Sequence, residues 1–154
     1  MIKPYYLLDT NIVSEIMKPH PDPKLVKKFS KFENLCAISS TTWNELLFGV
    51  NRLPAGKRRD YYFYCIVDDI QSHFEIIQYD NHAAWIQADI RARLMECGTP
   101  IEFDDTQIAS IAVANNMILV TRNTRHFEPI KKVASLMMEN WFEDNYNSTS
   151  LASR

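Results

Sequence analysis

A short apolar run that ends in a polar turn and leads into a helix is the feature that most limits how this chain can fold. Residues 4–8 (PYYLL) stop at residues 9–11 (DTN), and apolar residues then recur at helical spacing. Residues 35–39 (LCAIS) lead in the same way into a helix opened by Thr42. Strands that alternate with helices are typical of a mostly parallel sheet with helices on both faces. The sequence therefore predicts an α/β fold.

The same alternation continues along the rest of the chain. Further helices are predicted over residues 24–32, 57–69, 82–96 and after residue 105, and further strands over residues 74–77, 118–121 and 133–137. The helix over residues 24–32 carries its lysines mostly opposite its apolar residues, so we expect a basic solvent face. In open parallel sheets ligands bind at the carboxyl ends of the strands. Functional residues are therefore expected at strand ends.

Length and composition indicate one globular domain. The chain has 154 residues, of which 46% are hydrophobic, and a chain of this size can bury a core of its own. The domain is predicted over residues 1–142, and the polar residues 143–154 are predicted to form a disordered tail. Cys36, Cys65 and Cys97 lack metal-ligand spacing and are expected to be reduced core residues.

The sequence predicts the cellular location from its lack of a membrane span and of a signal peptide, and its net charge bears on nucleic-acid binding. No apolar run approaches the roughly 20 residues of a membrane span, and the first residues lack the pattern of a signal peptide. We therefore expect a cytoplasmic protein with no membrane partner. The net charge is −2, so any positive surface that binds nucleic acid must be local.

Three carboxylates stand at junctions between the predicted elements, and they are Asp9, Glu45 and Asp105. Each alone has a structural explanation, because Asp9 and Asp105 suit N-caps and Glu45 completes a capping box with Thr42. Together they favour a site, since two carboxylates roughly 5 Å apart repel by about 3 kcal/mol at an effective dielectric constant of about 20. A hard divalent cation, Mg²⁺ or Mn²⁺, would relieve that repulsion and activate a water molecule. No His or Cys pair has zinc spacing.

The order and spacing of four segments resemble the PIN-domain nucleases, and especially the VapC-type toxins of bacterial toxin-antitoxin pairs. The segments are LLDTNIVSE, TTWNELLFGV, PIEFDDTQIASIAVANNMILVTRNTRHF and ENW, and the resemblance covers roughly residues 5–142. It implies a PIN-like fold and a Mg²⁺-dependent endoribonuclease. It also implies structured RNA such as tRNA as the substrate, a VapB-like antitoxin as the partner, and a homodimer.

The resemblance also implies which residues bind the metal ion. The acids of the family match Asp9, Glu45 and Asp105 of this chain. Asp105 is preferred to Asp104 because it stands three residues before the Ile of the QIA segment. The three acids are therefore interpreted as both catalytic and metal-binding.

Five further residues are assigned around these acids. Thr10 and Asn11 match the small polar pair that follows the first acid of the family, and they are interpreted as substrate-binding. Arg122 and Arg125, in a predicted loop after the strand over residues 118–121, are expected to hold phosphates. Many PIN domains carry a fourth acid where this chain has the neutral Asn123. That departure counts against a tightly held second metal ion, and Asn123 is expected to assist catalysis through hydrogen bonds.

Two other functions stay open at this point. A phosphatase of the haloacid-dehalogenase type would use Asp9 as its nucleophile, but its second acid would stand where this chain has Asn11. A non-catalytic module would bind RNA or a protein without cutting it. Metal-dependent cleavage of RNA distinguishes both from a nuclease.

Overall fold

A computed structural model of the protein describes residues 3–144 and shows one sheet of five strands. The strands are β1 (Tyr6–Leu8), β2 (Cys36–Ser39), β3 (Glu75–Ile77), β4 (Ile118–Val120) and β5 (Met137–Glu139). Their order across the sheet is β3-β2-β1-β4-β5, and every neighbouring pair is parallel. The predicted α/β fold with a parallel sheet is confirmed.

Eight α-helices are found in the described residues. They are α1 (Thr10–Ile16), α2 (Pro23–Phe32), α3 (Ser40–Asn51), α4 (Lys57–Tyr64), α5 (Gln71–His73), α6 (Asn81–Glu96), α7 (Phe103–Ala114) and α8 (Thr124–Val133). A 3₁₀ turn (Glu33–Leu35) follows α2, and a π-helix (Cys65–Ile70) joins α4 to α5. Gly98 follows the C-cap of α6, and its φ of 68° lies in the left-handed region that favours glycine. Within residues 3–144, no helix is long and apolar enough to cross a membrane.

The three central strands, β2, β1 and β4, contribute side chains to two cores, because alternate residues of a strand point to opposite faces of the sheet. Tyr6 and Leu8 of β1 belong to the core that α1, α2 and α3 cover. Leu7 belongs to the core on the other face, beneath α6, α7 and α8. Burial on both faces explains why these strands are continuous apolar runs and not alternating ones.

The strand order creates a crevice at the carboxyl end of the central strand. From β1 the chain moves to β2 and β3 on one side, and then crosses over to β4 and β5 on the other. Such a reversal opens a crevice where neighbouring connections leave in opposite directions. Asp9 follows β1 and Thr121 follows β4, so both lie at this crevice.

The extent of two predicted elements is wrong. The helix predicted over residues 57–69 is α4 followed by the π-helix, and the strand predicted over residues 133–137 begins only at Met137. Sequence reasoning missed α8, because Pro129 and the polar TRN stretch are typical of a loop. Phe127 and Ile130 nevertheless bury one face of this helix.

Of the helix-capping roles predicted for Asp9, Glu45 and Asp105, the structure confirms only that of Asp9. Asp9 does cap α1, since its carboxylate accepts the backbone N–H of Thr10 at 2.8 Å. The capping box of Glu45 with Thr42 is wrong, because Ser39 caps α3 and its hydroxyl accepts the Thr42 N–H at 2.9 Å. Asp105 is not an N-cap either, because α7 starts two residues earlier and places Asp105 inside its first turn.

Two smaller predictions concern the cysteines and the tail. Cys36 and Cys65 are buried free thiols as predicted, whereas Cys97 is an exposed thiol at the end of α6. The core assignment of Cys97 is therefore wrong. Residues 145–154 of the predicted tail lie outside the described residues, and the domain boundary after residue 142 stays a prediction.

Candidate active site

Asp9 lies in the crevice at the carboxyl end of β1, where it is only 6% exposed. Its Oδ2 accepts hydrogen bonds from the Thr121 hydroxyl at 2.8 Å and from the Asn11 amide at 3.2 Å. Its Oδ1 accepts the backbone N–H of Thr10 at 2.8 Å. Three donors from two strand ends therefore fix the orientation of this carboxylate.

Glu45 reaches the same crevice from the second turn of α3. Its carboxylate accepts a hydrogen bond from the hydroxyl of Thr10, the residue that follows Asp9. The same hydroxyl lies 3.1 Å from the hydroxyl oxygen of Thr42. Thr10 therefore links the second carboxylate to the first.

Asp105 approaches from the first turn of α7. This helix is held against α3 by the Thr41 hydroxyl, which donates to the Gln107 side-chain oxygen at 2.6 Å. The Oδ2 of Asp105 lies 2.7 Å from Nε2 of His126 on α8. Asp105 is half-buried and lines the cleft, whereas its neighbour Asp104 is exposed.

One cleft of about 500 Å³ gathers nearly all of the predicted site residues. Those that line it are Asp9, Thr10, Asn11, Glu45, Asp105, Arg122 and Asn123. Arg125 does not line this cleft but a neighbouring depression, which shares Arg122 with it. Arg125 also lies in the first turn of α8 and not in the loop that the sequence predicted.

The donor chemistry of the cleft fits a hard divalent cation, because its three acids supply the oxygen ligands that Mg²⁺ and Mn²⁺ prefer. Across residues 3–144, however, no three Asp, Glu, His or Cys side chains are already arranged around one ion position. One oxygen of Glu45 accepts from Thr10, and one oxygen of Asp105 contacts His126.

Similarity to known proteins identifies the family. The PIN domain family matches residues 6–133. The tRNA(fMet)-specific endonuclease VapC of Shigella flexneri is 32% identical over 136 residues, which cover 88% of this chain and 97% of that protein. Toxin FitB of Neisseria gonorrhoeae is 31% identical over 125 residues, covering 79% of this chain and 89% of that protein.

The chain belongs to the PIN-domain family of VapC ribonucleases. A solved structure supports the fold of this PIN domain, namely DNA-bound VapBC from Salmonella typhimurium, with a TM-score of 0.78 and 29% identity. That match covers 90% of this chain and 98% of the solved chain. The predicted PIN-like fold and the ribonuclease class are confirmed, whereas the roles of single residues stay predictions.

In this PIN domain, ionisation of Asp9 and Glu45 costs free energy. Burial raises the pKa of the Asp9 carboxyl, although the hydrogen bonds from Thr121 and Thr10 oppose the rise. Burial likewise raises the pKa of Glu45, the Thr10 hydroxyl opposes it, and the charges of nearby acids add to it. A bound cation would offset both the burial and the repulsion.

Sequence reasoning missed several residues of the PIN-domain cleft. Thr121 is fully buried, donates to Asp9, and accepts the backbone N–H of Asn123 at 3.1 Å. Its position directly after an apolar strand could have identified it as a site residue, because ligands bind at the carboxyl ends of parallel strands. Other missed residues line the cleft from α1, from the turn after it and from α8, and they are Ser14, Glu15, Lys18 and Phe127. His126, which the sequence offered beside Arg122 and Arg125 as a phosphate contact, also lines the cleft.

Proposed function

We propose that this PIN domain is a Mg²⁺- or Mn²⁺-dependent endoribonuclease that cuts structured RNA and acts as the toxin of a toxin-antitoxin pair. The observation that carries the proposal is that Asp9, Glu45 and Asp105, from three separate elements, line one cleft. Neither Glu45 nor Asp105 is an N-cap residue, so capping does not explain them. The family membership supplies the reaction class.

The three acids divide into one fixed and two adjustable ligands for the cation. Asp9 is the fixed one, because three donors already orient it. When bound, the ion supplies Lewis acidity that activates water and offsets charge in the transition state. Glu45 and Asp105 would complete the oxygen ligand set, since each has a second carboxylate oxygen that its hydrogen bond to Thr10 or His126 does not use.

Arg122 and Asn123 are proposed to receive the phosphate next to the bond that is cut. The backbone N–H of Arg122 donates to the Asn11 side-chain oxygen at 3.2 Å, which ties this segment to the start of α1. Arg122 lines the cleft together with Lys18, so both bring positive charge to a cleft that four acids also line. Asn123 lines the same cleft and adds an amide donor.

The proposed substrate is tRNA, cut within a single-stranded loop. The relative from Shigella flexneri is named as specific for tRNA(fMet). Folded RNAs present unstacked nucleotides in their loops, so the bond that is cut is expected there.

The proposed partner is a VapB-like antitoxin that docks beside α1, α2 and α4. A groove of about 630 Å³ runs between these helices and is lined by apolar residues such as Met17, Phe29 and Phe74. Tyr61, which lines the groove, and Tyr64 are 50% and 58% exposed, more than a helix that serves only a core would leave uncovered. A cation of the antitoxin is expected to pair with the acids of the cleft. The homodimer stays a prediction.

Chelation tests the proposal directly. Cleavage of an initiator tRNA transcript should stop in excess EDTA and return with Mg²⁺ or Mn²⁺, while the melting temperature changes little because the three acids belong to neither core. Cleavage that persists in excess chelator would contradict the metal-dependent mechanism.

Neighbouring acids offer a matched pair of variants for the same assay. Asp105→Asn should abolish cleavage with near-normal melting, because Asp105 lines the cleft and caps no helix. Asp104→Asn makes the same chemical change one residue away, on an exposed side chain, and should keep most activity. Equal activity of the two variants would remove Asp105 from the site.

The phosphatase alternative finds no support in the geometry. The position two residues after Asp9 is Asn11, and its amide donates to the Asp9 carboxylate and does not act as an acid. The Asp9 carboxylate is also held by Thr121 and Thr10.

A further inference from the structure

The lysine face of α2 forms a dense positive surface outside the cleft. Its members are Lys24, Lys27, Lys28 and Lys31, and their spacing of i, i+3, i+4 and i+7 places them along one side of the helix. The stripe is about 10 Å long, given a rise of about 1.5 Å per residue. No acidic residue lies within α2. The stripe therefore concentrates charge in a protein whose net charge is −2.

Most of this charge is not neutralised within the described chain. Lys24 forms an ion pair with Asp144 at 2.9 Å. For Lys27, Lys28 and Lys31, no carboxylate in residues 3–144 lies within ion-pair distance. The ammonium groups of Lys28 and Lys31 lie 5.9 and 5.2 Å from the centre of the Phe32 ring, a contact that leaves their charge in place.

The lysine stripe connects to the active-site cleft through the turn that follows β5. One depression is lined by the four lysines together with Trp141, Glu143 and Asp144, and the next by Glu143, Arg122 and Arg125, so the acidic turn residue Glu143 joins the two basic groups. Arg122 also lines the cleft itself. The turn is anchored at both sides, because Phe142 lies 4.4 Å beneath the Arg122 guanidinium and Asp144 binds Lys24.

We propose that this surface, which is basic on both sides of the turn that carries Glu143 and Asp144, binds the phosphate backbone of RNA that extends out of the cleft. We call it the basic track, and it consists of Lys24, Lys27, Lys28, Lys31, Arg122 and Arg125. The inference rests on the proposed function, since it takes the occupant of the cleft to be RNA. Lysines along a backbone release counterions without reading bases, so the track supplies affinity and orientation to any sequence.

RNA fits the track better than an acidic protein segment does. A protein segment needs an apolar anchor, and Trp141, the aromatic residue that lines the lysine depression, is fully buried. The track also starts at the cleft and not at the apolar groove between α1, α2 and α4. A strand that leaves the cleft beside Arg122 meets the lysines next.

The salt dependence of RNA binding tests the track. The inactive Asp9→Asn protein is titrated with a fluorescein-labelled initiator tRNA transcript over a range of KCl concentrations. The added changes Lys27→Gln, Lys28→Gln and Lys31→Gln should reduce the slope of log K against log salt by about 2, since each phosphate contact contributes about 0.7 to 0.9. The affinity at physiological salt should fall roughly tenfold or more.

Two control variants distinguish an effect of the basic track from an effect of the protein's net charge. Lys57→Gln, Lys131→Gln and Lys132→Gln remove the same charge from exposed positions that line neither the cleft nor the track, and they should leave the slope nearly unchanged. Asp144→Asn frees Lys24 and should tighten binding. Equal slopes for the two triple variants would overturn the proposal, as would a polyglutamate chain that competes as well as RNA.

Cleavage assays on the active protein distinguish this inference from the proposed function. The three-lysine variant should lose more activity on tRNA than on a short single-stranded RNA that ends before α2. If the parent cuts neither RNA, the proposed function fails. If the parent cuts both and the variant loses equally on each, the function stands and the track is wrong.

Discussion

The two sides of the cleft are built differently. On the central side Asp9 is 6% exposed and receives three hydrogen bonds from residues next to β1 and β4. On the outer side the carboxylate of Asp105 is 28% exposed and meets only His126, whose side chain is 44% exposed. The fold thus fixes one carboxylate and leaves another free to turn. A preorganised site needs carboxylates that their surroundings hold in place, and the central side supplies one in Asp9.

The largest expected effect comes from the central side. Asp9→Asn keeps the size and capping ability of the residue but removes its charge, so cleavage of tRNA should fall by about 10²- to 10³-fold or more. The melting temperature should equal or exceed that of the parent, since burial raises the pKa of Asp9 and ionisation is costly in the fold. Single-turnover rates and thermal melting measure the two quantities. A variant that cuts RNA at the parental rate would place the chemistry elsewhere.

The second-largest effect is expected from Thr121, whose hydroxyl donates a hydrogen bond to Asp9. Thr121→Val removes the hydroxyl that donates to Asp9 while keeping the shape, so we expect roughly a tenfold slower reaction and a stability loss of about 1 to 2 kcal/mol. Thr121→Ser restores the donor and should recover most of the rate. Similar rates for the Val and Ser variants would show that the hydroxyl does not orient the carboxylate.

The outer side should respond weakly to the same kind of change. His126→Ala removes the partner of Asp105, but both side chains are partly exposed, so stability should stay within about 0.5 kcal/mol of the parent. The cleavage rate should fall less than tenfold, because His126 contacts Oδ2 of Asp105 and the other carboxylate oxygen is not used in that bond. A loss as large as that of Asp9→Asn would show that the two sides are equally constrained.

The smallest expected effect is a pH dependence of stability. Burial raises the pKa values of Asp9 and Glu45 from their ordinary values of 3.8 and 4.5. Their contribution to stability is therefore complete below the ordinary values and is lost as the pH rises through the raised ones. In chelator, the double variant Asp9→Asn, Glu45→Gln should melt progressively higher than the parent from pH 4 to neutrality, by a few degrees at most. A difference that shrinks with rising pH would contradict the sign of these shifts.

The sequence predicted those parts of the fold that follow from local pattern. The apolar runs before Asp9 and Thr121 are strands, and the ends of parallel strands must share an edge, so the central side of the cleft could be expected. The start of α3 could not be predicted, because Ser39 and Thr42 are both favourable N-cap residues. Only the structure shows that Ser39 is the cap. Local pattern also failed to predict α8, because Pro129 in its interior is typical of a loop.

The outer side of the cleft was less predictable from sequence. Asp105 meets His126 only because α7 and α8 pack side by side, a tertiary contact that no spacing encodes. Arg125 was placed with Arg122 by proximity in sequence, yet the turn of α8 moves it to the neighbouring depression. The resemblance to PIN domains singled out Asp105, and the structure brings it to the cleft.

Calorimetric titration with Mn²⁺ in the absence of RNA tests the central claim most directly. If Asp9, Glu45 and Asp105 hold the ion, the parent should bind Mn²⁺ and the Asp104→Asn control should bind it equally well. Asp9→Asn should abolish binding, and Glu45→Gln and Asp105→Asn should each weaken it. Equal Mn²⁺ affinity in all five proteins, or no binding by a parent that cleaves RNA in Mn²⁺, would contradict a carboxylate-held ion in this cleft.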